Sequence, residues 1–192
     1  MNAVIMPKKD YNNAIGKIGK RAEVKIKSFI ENNPDAVEWF GHVDHLKNFK
    51  AEEDLDQQVK GRDFRIIGSK GTLYFDNKND QNIGVSGNIL IEFGQVWRNG
   101  SWSPGWMYHT QADFITYTNI DKLPGVLYVV KFPELFALAQ DYLADPLKYG
   151  KKIFMHTKFG KYCTNEGQDM QNIIIKEELC KKFMKIYKMG DK

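Results

Sequence analysis

The order of segments along the chain predicts a mixed α/β or α+β domain. A long amphipathic helical pattern opens the chain. An apolar hairpin and a strongly alternating strand occupy its middle, and a compact apolar strand then runs into a second helix near residue 133. Helix, several strands, helix, strand, helix is the order of a unit built on a mixed sheet. At 192 residues the chain is long enough for one domain with a real core.

Each element has its own signal. In "NNAIGKIGKRAEVKIKSFIENNP", Ile15, Ile18, Ala22, Ile26, Phe29 and Ile30 recur at spacings of three and four, which predicts a helix ending before Pro34. Asn12 or Asn13 suits its N-cap. Residues 34–60 have mixed periodicity and accommodate a strand or a short helix. The stretch "GRDFRIIGSKGTLYFDNKND" reads as a hairpin over about 63–68 and 71–78. "GNILIEFGQVWRN" (87–99) alternates around Ile89, Ile91 and Phe93 and predicts a strand. "GSWSPGWM" (100–107) is turn-rich, and "YHTQADFITYTN" (108–119) is read as a short helix. "GVLYVVKF" (125–132) is a compact strand bounded by prolines. "PELFALAQDYLAD" (133–145) is a helix with proline in its first turn. The chain is expected to close with a helix. The organisation expected is therefore a single domain over 1–192, with a core at roughly 14–145 and a C-terminal helical extension over 146–192.

Composition narrows the class. The chain is 42% hydrophobic and 27% charged, ordinary for a soluble globular protein. Its net charge of +4 permits an anionic partner without demanding one. The two cysteines, Cys163 and Cys180, fit no zinc spacing and make a poor disulfide framework, which suggests a reducing, cytoplasmic setting. The first residues lack the apolar core of a signal peptide. No run of about 18 apolar residues occurs, so no membrane span is expected.

The hairpin carries the chemistry. If it is symmetric about Ser69-Lys70, paired residues sum to 139, so Ile66 faces Leu73 and Asp63 faces Asp76. Directly opposed residues have Cβ atoms roughly 4.5–5.5 Å apart. Lys78, two residues beyond Asp76, projects from the same face. Two carboxylates so close repel unless something positive lies between them. Lys78 partly fills that role, and a divalent cation fills it better, because Mg²⁺ is typically held by one or two carboxylates plus water and phosphate oxygens. Such a set suits phosphodiester hydrolysis. An isolated Asp-x-Lys is as a rule an ordinary pair of strand-end charges; the register match with Asp63 is what sets this one apart.

This combination resembles the PD-(D/E)xK nuclease superfamily of phage and bacterial type, the restriction-endonuclease-like fold. In that family an Asp on one strand, then an Asp or Glu followed two residues later by Lys on the next, form the metal site. Here these are Asp63, Asp76 and Lys78. The resemblance extends over roughly 14–132. Glu23 in "GKRAE" matches a helical glutamate near the metal, and "QVKGRDF" (58–64) matches a Gln-x-x-Gly-x-Asp segment, bringing in Gln58. "SGNILIE" (86–92) and "SPGWMYHTQADFITY" (103–117) match a strand with Glu followed by a Gly-rich loop and a Thr-x-Ala-Asp helix. Arg62 replaces the proline that often precedes the first Asp, and Asp76 stands where Glu is commoner. Gln111 and Tyr117 match a glutamine-and-tyrosine element only loosely.

What the resemblance implies is a mixed central sheet flanked by helices. The activity implied is that of a Mg²⁺-dependent deoxyribonuclease, with Mn²⁺ as a substitute ion, DNA as partner and RNA left open. Glu23, Asp63, Asp76 and the backbone carbonyl of Asn77 would hold the metal, and Lys78 would assist the water and the developing charge. Dimers are common where both strands are cut, so a homodimer is left open. The rival readings are a non-catalytic nucleic-acid-binding module or a protein-interaction module that retains the fold.

Other residues stand beside this set. Glu92 has the wrong parity for the face of Ile89 and Ile91, which makes it either a group supporting the site, like Gln58 and Gln111, or an exposed strand residue. Asp80 reads as a hairpin-end charge more readily than as an extension of the site. Trp97, Trp102 and Trp106 lie within ten residues of one another, beside Arg98, Tyr108 and His109. Aromatics interleaved with donors suit stacking on bases, although tryptophans often pack as core or loop anchors. Trp102, Trp106 and His109, with Lys20 and Arg21 on the first helix, are the nucleic-acid-binding candidates. His42 and His45 lack further ligands at zinc spacing, and "GKIGK" (16–20) lacks P-loop spacing.

Overall fold

A computed structural model describes residues 5–6, 43–47, 60–69, 71–80, 82–97, 99–119, 121–145, 154–158, 163–164 and 168–188. In chain order these form β1 (Ile5–Met6), β2 (Val43–Lys47), β3 (Phe64–Gly68), β4 (Gly71–Asn79), β5 (Asn88–Trp97) and β6 (Trp102–Pro104). A 3₁₀ turn (Trp106–Tyr108) leads to β7 (Phe114–Asn119), β8 (Leu123–Lys131) and α1 (Phe132–Ala144). The remainder is β9 (Phe154–Lys158), β10 (Cys163–Thr164), β11 (Gln168–Lys176), α2 (Glu177–Cys180) and β12 (Met184–Lys188). The first helical pattern, including Lys20, Arg21 and Glu23, lies outside the described residues, as does Gln58.

Among the described residues the main sheet has the order β12-β8-β7-β4-β3-β2. It is mixed: β4 and β7 run parallel, while the other neighbours are antiparallel. A second sheet has the order β6-β5-β11-β9, and β1 pairs with β10. The mixed sheet is thus present. What packs beside it in the described chain is a second sheet and one long helix, α1, where flanking helices were expected.

The hairpin forms where the sequence puts it. Ile66 pairs with Leu73 and Ile67 with Thr72, and the ladder closes with Gly68 opposite Gly71. The strand 87–99 appears as β5, and the helix 133–145 as α1. The ambiguous segment before residue 60 contributes the strand β2.

Two segments depart from expectation. Residues 114–119 are a strand, not part of a helix. Every residue of β7 is buried, so the segment shows no period-2 alternation, and its β-branched Ile115, Thr116 and Thr118 favour the extended state. The expected C-terminal helical extension is also corrected: residues 168–188 form strand, single helical turn and strand. Ile173 and Ile175 in β11 pair with Ile91 and Ile89 in β5, while β12 pairs with β8. The C-terminal residues therefore complete both sheets rather than extending from them.

The core lies between the two sheets and under α1. Ile89 and Ile91 from β5 and Ile173 and Ile175 from β11 join Ile115 and Tyr117 from β7, Tyr128 and Val130 from β8, and Leu135, Ala139 and Tyr142 from α1. The hydroxyl of Tyr117 donates to the Leu90 carbonyl across the sheets at 3.4 Å. The opposite face of the main sheet carries stacked rings: Phe64 on Phe75 at 4.7 Å and Phe75 on Phe114 at 5.2 Å. Among the described residues no helix is long and apolar enough to cross a membrane.

Candidate active site

The site grows from the end of the β3–β4 ladder. Phe64 pairs with Phe75, the last pair of the ladder, and Asp63 precedes it, close enough to Asp76 for their charges to interact. Asp63 donates its N–H to the Phe75 carbonyl (2.8 Å). Its Oδ2 then accepts the N–H of Asn77 (2.7 Å). The carboxylate thus takes the place a strand carbonyl would have, which fixes Asp63 at the mouth of the ladder.

Strand β4 is central, so its far edge is also covered. Asp76 is in register with Ile115 and Lys78 with Tyr117. Residues paired in a sheet share a face, so Asp76 and Lys78 lie on the side of the inter-sheet core. Asp76 is consequently 1% exposed. Its Oδ1 accepts Lys78 Nζ at 2.6 Å. Among the described residues its buried Oδ2 has no hydrogen bond of good geometry, although the neighbouring Thr110 hydroxyl is among the groups that favour its charged form. Burial lifts the Asp76 carboxyl to about 7; Lys78 opposes that rise and the nearby charge of Asp63 adds to it.

Backbone and hydroxyl groups close around the free oxygen. Gly61 has φ +61°, in the left-handed region that glycine tolerates. A Cβ at this position would fall 2.6 Å from Thr110 Oγ1 and 2.9 Å from Asp76 Oδ2. The Thr110 hydroxyl donates to the Gly61 carbonyl (3.0 Å), and the Gln111 N–H donates to the Lys60 carbonyl (2.7 Å). Arg62 stacks over Tyr74, its Cζ 4.0 Å from the ring centroid, and its Nε donates to the Gln111 carbonyl (3.3 Å). These contacts tie the segment before Asp63 to the loop before β7. Gln111 itself is exposed and acts here through its backbone.

On its other side Lys78 meets an aromatic floor and a third carboxylate. Its Nζ stands 4.9 Å from the ring centroid of Trp106, a cation–π arrangement. Trp106 packs toward Phe132 of α1 at 6.4 Å, which anchors the 3₁₀ turn to the helix. Burial raises the carboxyl of Glu92, opposed by hydrogen bonds from Gln95 and the Trp106 N–H and by the charges of Lys78 and His109. Gln95 Nε2 donates to Glu92 Oε1 at 2.8 Å. A Cβ on Gly105 would fall 2.4 Å from the Glu92 carbonyl oxygen, so glycine lets the 3₁₀ turn approach β5 closely. Glu92 is therefore a neighbour of Lys78 rather than a solvent-facing strand residue.

The structure brings Asp63, Asp76, Asn77, Lys78, Glu92, Trp106 and His109 into one neighbourhood. Asn77 enters through its N–H to Asp63, and its side-chain oxygen accepts the Thr116 hydroxyl (3.2 Å). Asp80, two residues beyond Lys78 and buried, caps a turn: its Oδ1 accepts the Asn82 N–H (2.8 Å) and its own N–H goes to the Thr118 carbonyl (2.9 Å), while its Oδ2, like that of Asp76, is buried without a hydrogen-bond partner among the described residues. Gly61 and Thr110 were not singled out from sequence. The only traces were a glycine two residues before Asp63 and the threonine of "TQAD". No family model, curated protein or solved structure matches the chain, so the functional reading rests on this geometry.

The residues present suit a hard divalent cation. Such ions take oxygen donors, and Mg²⁺ needs only one or two carboxylates because it keeps several waters. Asp63 and Asp76 meet that count, and Oδ2 of Asp76 is a buried acceptor, without a hydrogen-bond partner among the described residues, against which Gly61 packs closely. No group of three or more His, Cys, Asp and Glu side chains converges among the described residues; Glu23 lies outside them.

Proposed function

We propose that the chain is a divalent-cation-dependent deoxyribonuclease of the restriction-endonuclease-like type. The observation that carries this reading is Asp76: a buried carboxylate with one oxygen on Lys78, the other without a partner among the described residues, close to a second acid. A buried carboxylate left so poorly satisfied is costly to keep. That cost is explained if the free oxygen has a ligand in the working protein. The fold part of the proposal draws support from the mixed sheet, with Asp63 just before β3 and Asp76 on the neighbouring β4.

A bound Mg²⁺ would supply charge neutralisation at the phosphate and a lower pKa for a coordinated water. The chain's own groups do the rest. Asp63 and Asp76 would hold the cation, and the Asn77 N–H keeps Asp63 aimed. Lys78, as an ammonium, orients the attacking water and faces the negative charge that builds on the phosphoryl oxygens. Trp106 limits where Lys78 can go. Water adds to phosphorus, the bond to one sugar oxygen breaks, and a phosphate end and a hydroxyl end result. The proton lost by the water passes to solvent, and the leaving alkoxide takes one up.

The test is cleavage of plasmid and single-stranded DNA with Mg²⁺ or Mn²⁺ by wild type, Lys78→Ala and Asp76→Asn. The expected result is metal-dependent cleavage by wild type, reduced by about a hundredfold or more in either variant. No cleavage by wild type with either ion would overturn the reading. Equal cleavage by wild type and Lys78→Ala would overturn the site.

A further inference from the structure

Trp102 is an exposed tryptophan that is not free to move. It is 52% exposed and sits on β6, the edge strand of the second sheet. Its indole Nε1 donates to Gln171 Oε1 of β11 at 3.1 Å, reaching across β5. The ring lies against the backbone of Gly94, where a Cβ would fall 2.3 Å from Nε1 and 2.8 Å from Cε2. Any side chain larger than hydrogen at position 94 would lift the indole off the sheet. Three strands therefore combine to hold one ring flat, with its outer face left in water.

A single exposed apolar side chain is ordinary and needs no explanation. A single exposed aromatic held against a glycine by a side-chain hydrogen bond from a strand two places away is different, because ordering it costs side-chain entropy. Its location is informative as well. Trp102 and Trp106 are separated by four residues, so their Cα atoms are at most about 14 Å apart. Trp106 carries Lys78 on its ring. Between them, His109 Nε2 lies within 3.3 Å of the Pro104 carbonyl. Tyr108, 42% exposed, stands edge-on to Phe136 at 6.2 Å. The lysine end of the candidate active site thus continues into a short strip of fixed, partly exposed rings.

We propose that Trp102 is a stacking platform for an unpaired base, and that the DNA engaged at the Asp63–Asp76–Lys78 centre is single-stranded at this position. The proposal rests on the nuclease reading and narrows its substrate class. Every base offers a π-face to an aromatic side chain once it is unpaired, and this recognition tolerates sequence. In an intact duplex the faces are already stacked on neighbouring bases, so a flat surface ring has nothing to receive.

The test is binding in EDTA, where cleavage does not interfere. Labelled oligo-dT and a blunt duplex of equal length are titrated with wild type, Trp102→Ala and Trp102→Phe, following anisotropy and the intrinsic tryptophan signal. The expected result is tighter binding of the single strand by wild type, weakened roughly five- to hundredfold in Trp102→Ala. Trp102→Phe, which keeps a ring, recovers most of that loss, and duplex binding changes little in either variant. Equal affinity of wild type and Trp102→Ala for the single strand overturns the platform. So does an equal loss for the duplex, or no binding of oligo-dT by wild type. Single-strand binding that depends on Trp102 in a protein that cleaves nothing with Mg²⁺ or Mn²⁺ overturns the nuclease reading while leaving the platform intact.

Discussion

Replacing Asp76 with asparagine should stabilise the metal-free protein at alkaline pH. The folded chain holds the Asp76 carboxyl at about 7, against 3.8 for a free side chain. Below about pH 4 both folded and unfolded chains carry the proton. Between about 4 and 7 the folded chain keeps it while the unfolded chain releases it, so stability falls as pH rises through that window. At about 1.4 kcal/mol per pH unit, the full loss is on the order of 4 kcal/mol above pH 7. Asparagine never ionises and escapes this loss. The rise to about 7 is already net of the attraction of Lys78, so nothing further is subtracted for that bond. Asparagine stands in for the protonated carboxyl, and the net expectation is a gain on the order of 4 kcal/mol near pH 8 and about 1–2 kcal/mol near pH 5. In a chain of this size the larger gain is a rise of roughly 8–16 °C in Tm. Unfolding in urea, followed by tryptophan fluorescence in EDTA at both pH values, measures it. A variant less stable than wild type near pH 8 by the same amount as near pH 5 would show that burial of the Asp76 charge carries no such cost.

Two further substitutions probe the supports of the site. Gly61→Ala meets both a positive φ and the oxygens of Thr110 and Asp76 within 3 Å, so it should cost about 1–3 kcal/mol by chemical denaturation and lower cleavage as well; an unchanged unfolding midpoint would mean that the cradle yields freely. Asp113→Ala removes the Oδ2 that accepts the Tyr74 N–H at 2.7 Å. It leaves a strand N–H unpaired next to the β4–β7 junction, at an expected cost of about 1–3 kcal/mol. Its urea midpoint should fall while the Mg²⁺ concentration for half-maximal cleavage stays the same.

Much of this protein is local and therefore readable in its residues. The short connection between Gly68 and Gly71 fixes which residues of β3 and β4 oppose each other, and this brings Asp63 near Asp76, with Lys78 two residues on and on the same face as Asp76. The alternation around Ile89 and Ile91 gives β5, and the proline-led pattern after Phe132 gives α1. The periodicity of residues 108–119 misleads because β7 is buried on both faces, and a strand covered on both sides has no alternation to read. The C-terminal residues mislead in the same way: Ile173 to Ile175 look like one continuous apolar run, yet their state is set by partners some eighty residues away in β5.

What the tertiary structure alone decides is the environment of the acids. Strand pairing across a short turn depends on a few neighbouring residues, so sequence determines it. Burial depends on which distant segments come to lie alongside. The parallel approach of β7 to β4 removes Asp76 from water, the Thr110 loop closes over Gly61, and the 3₁₀ turn brings Trp106 under Lys78. Those contacts turn two neighbouring carboxylates into one buried, partly satisfied acid beside a half-buried lysine. Desolvation is a property of packing, and no spacing of residues along the chain records it.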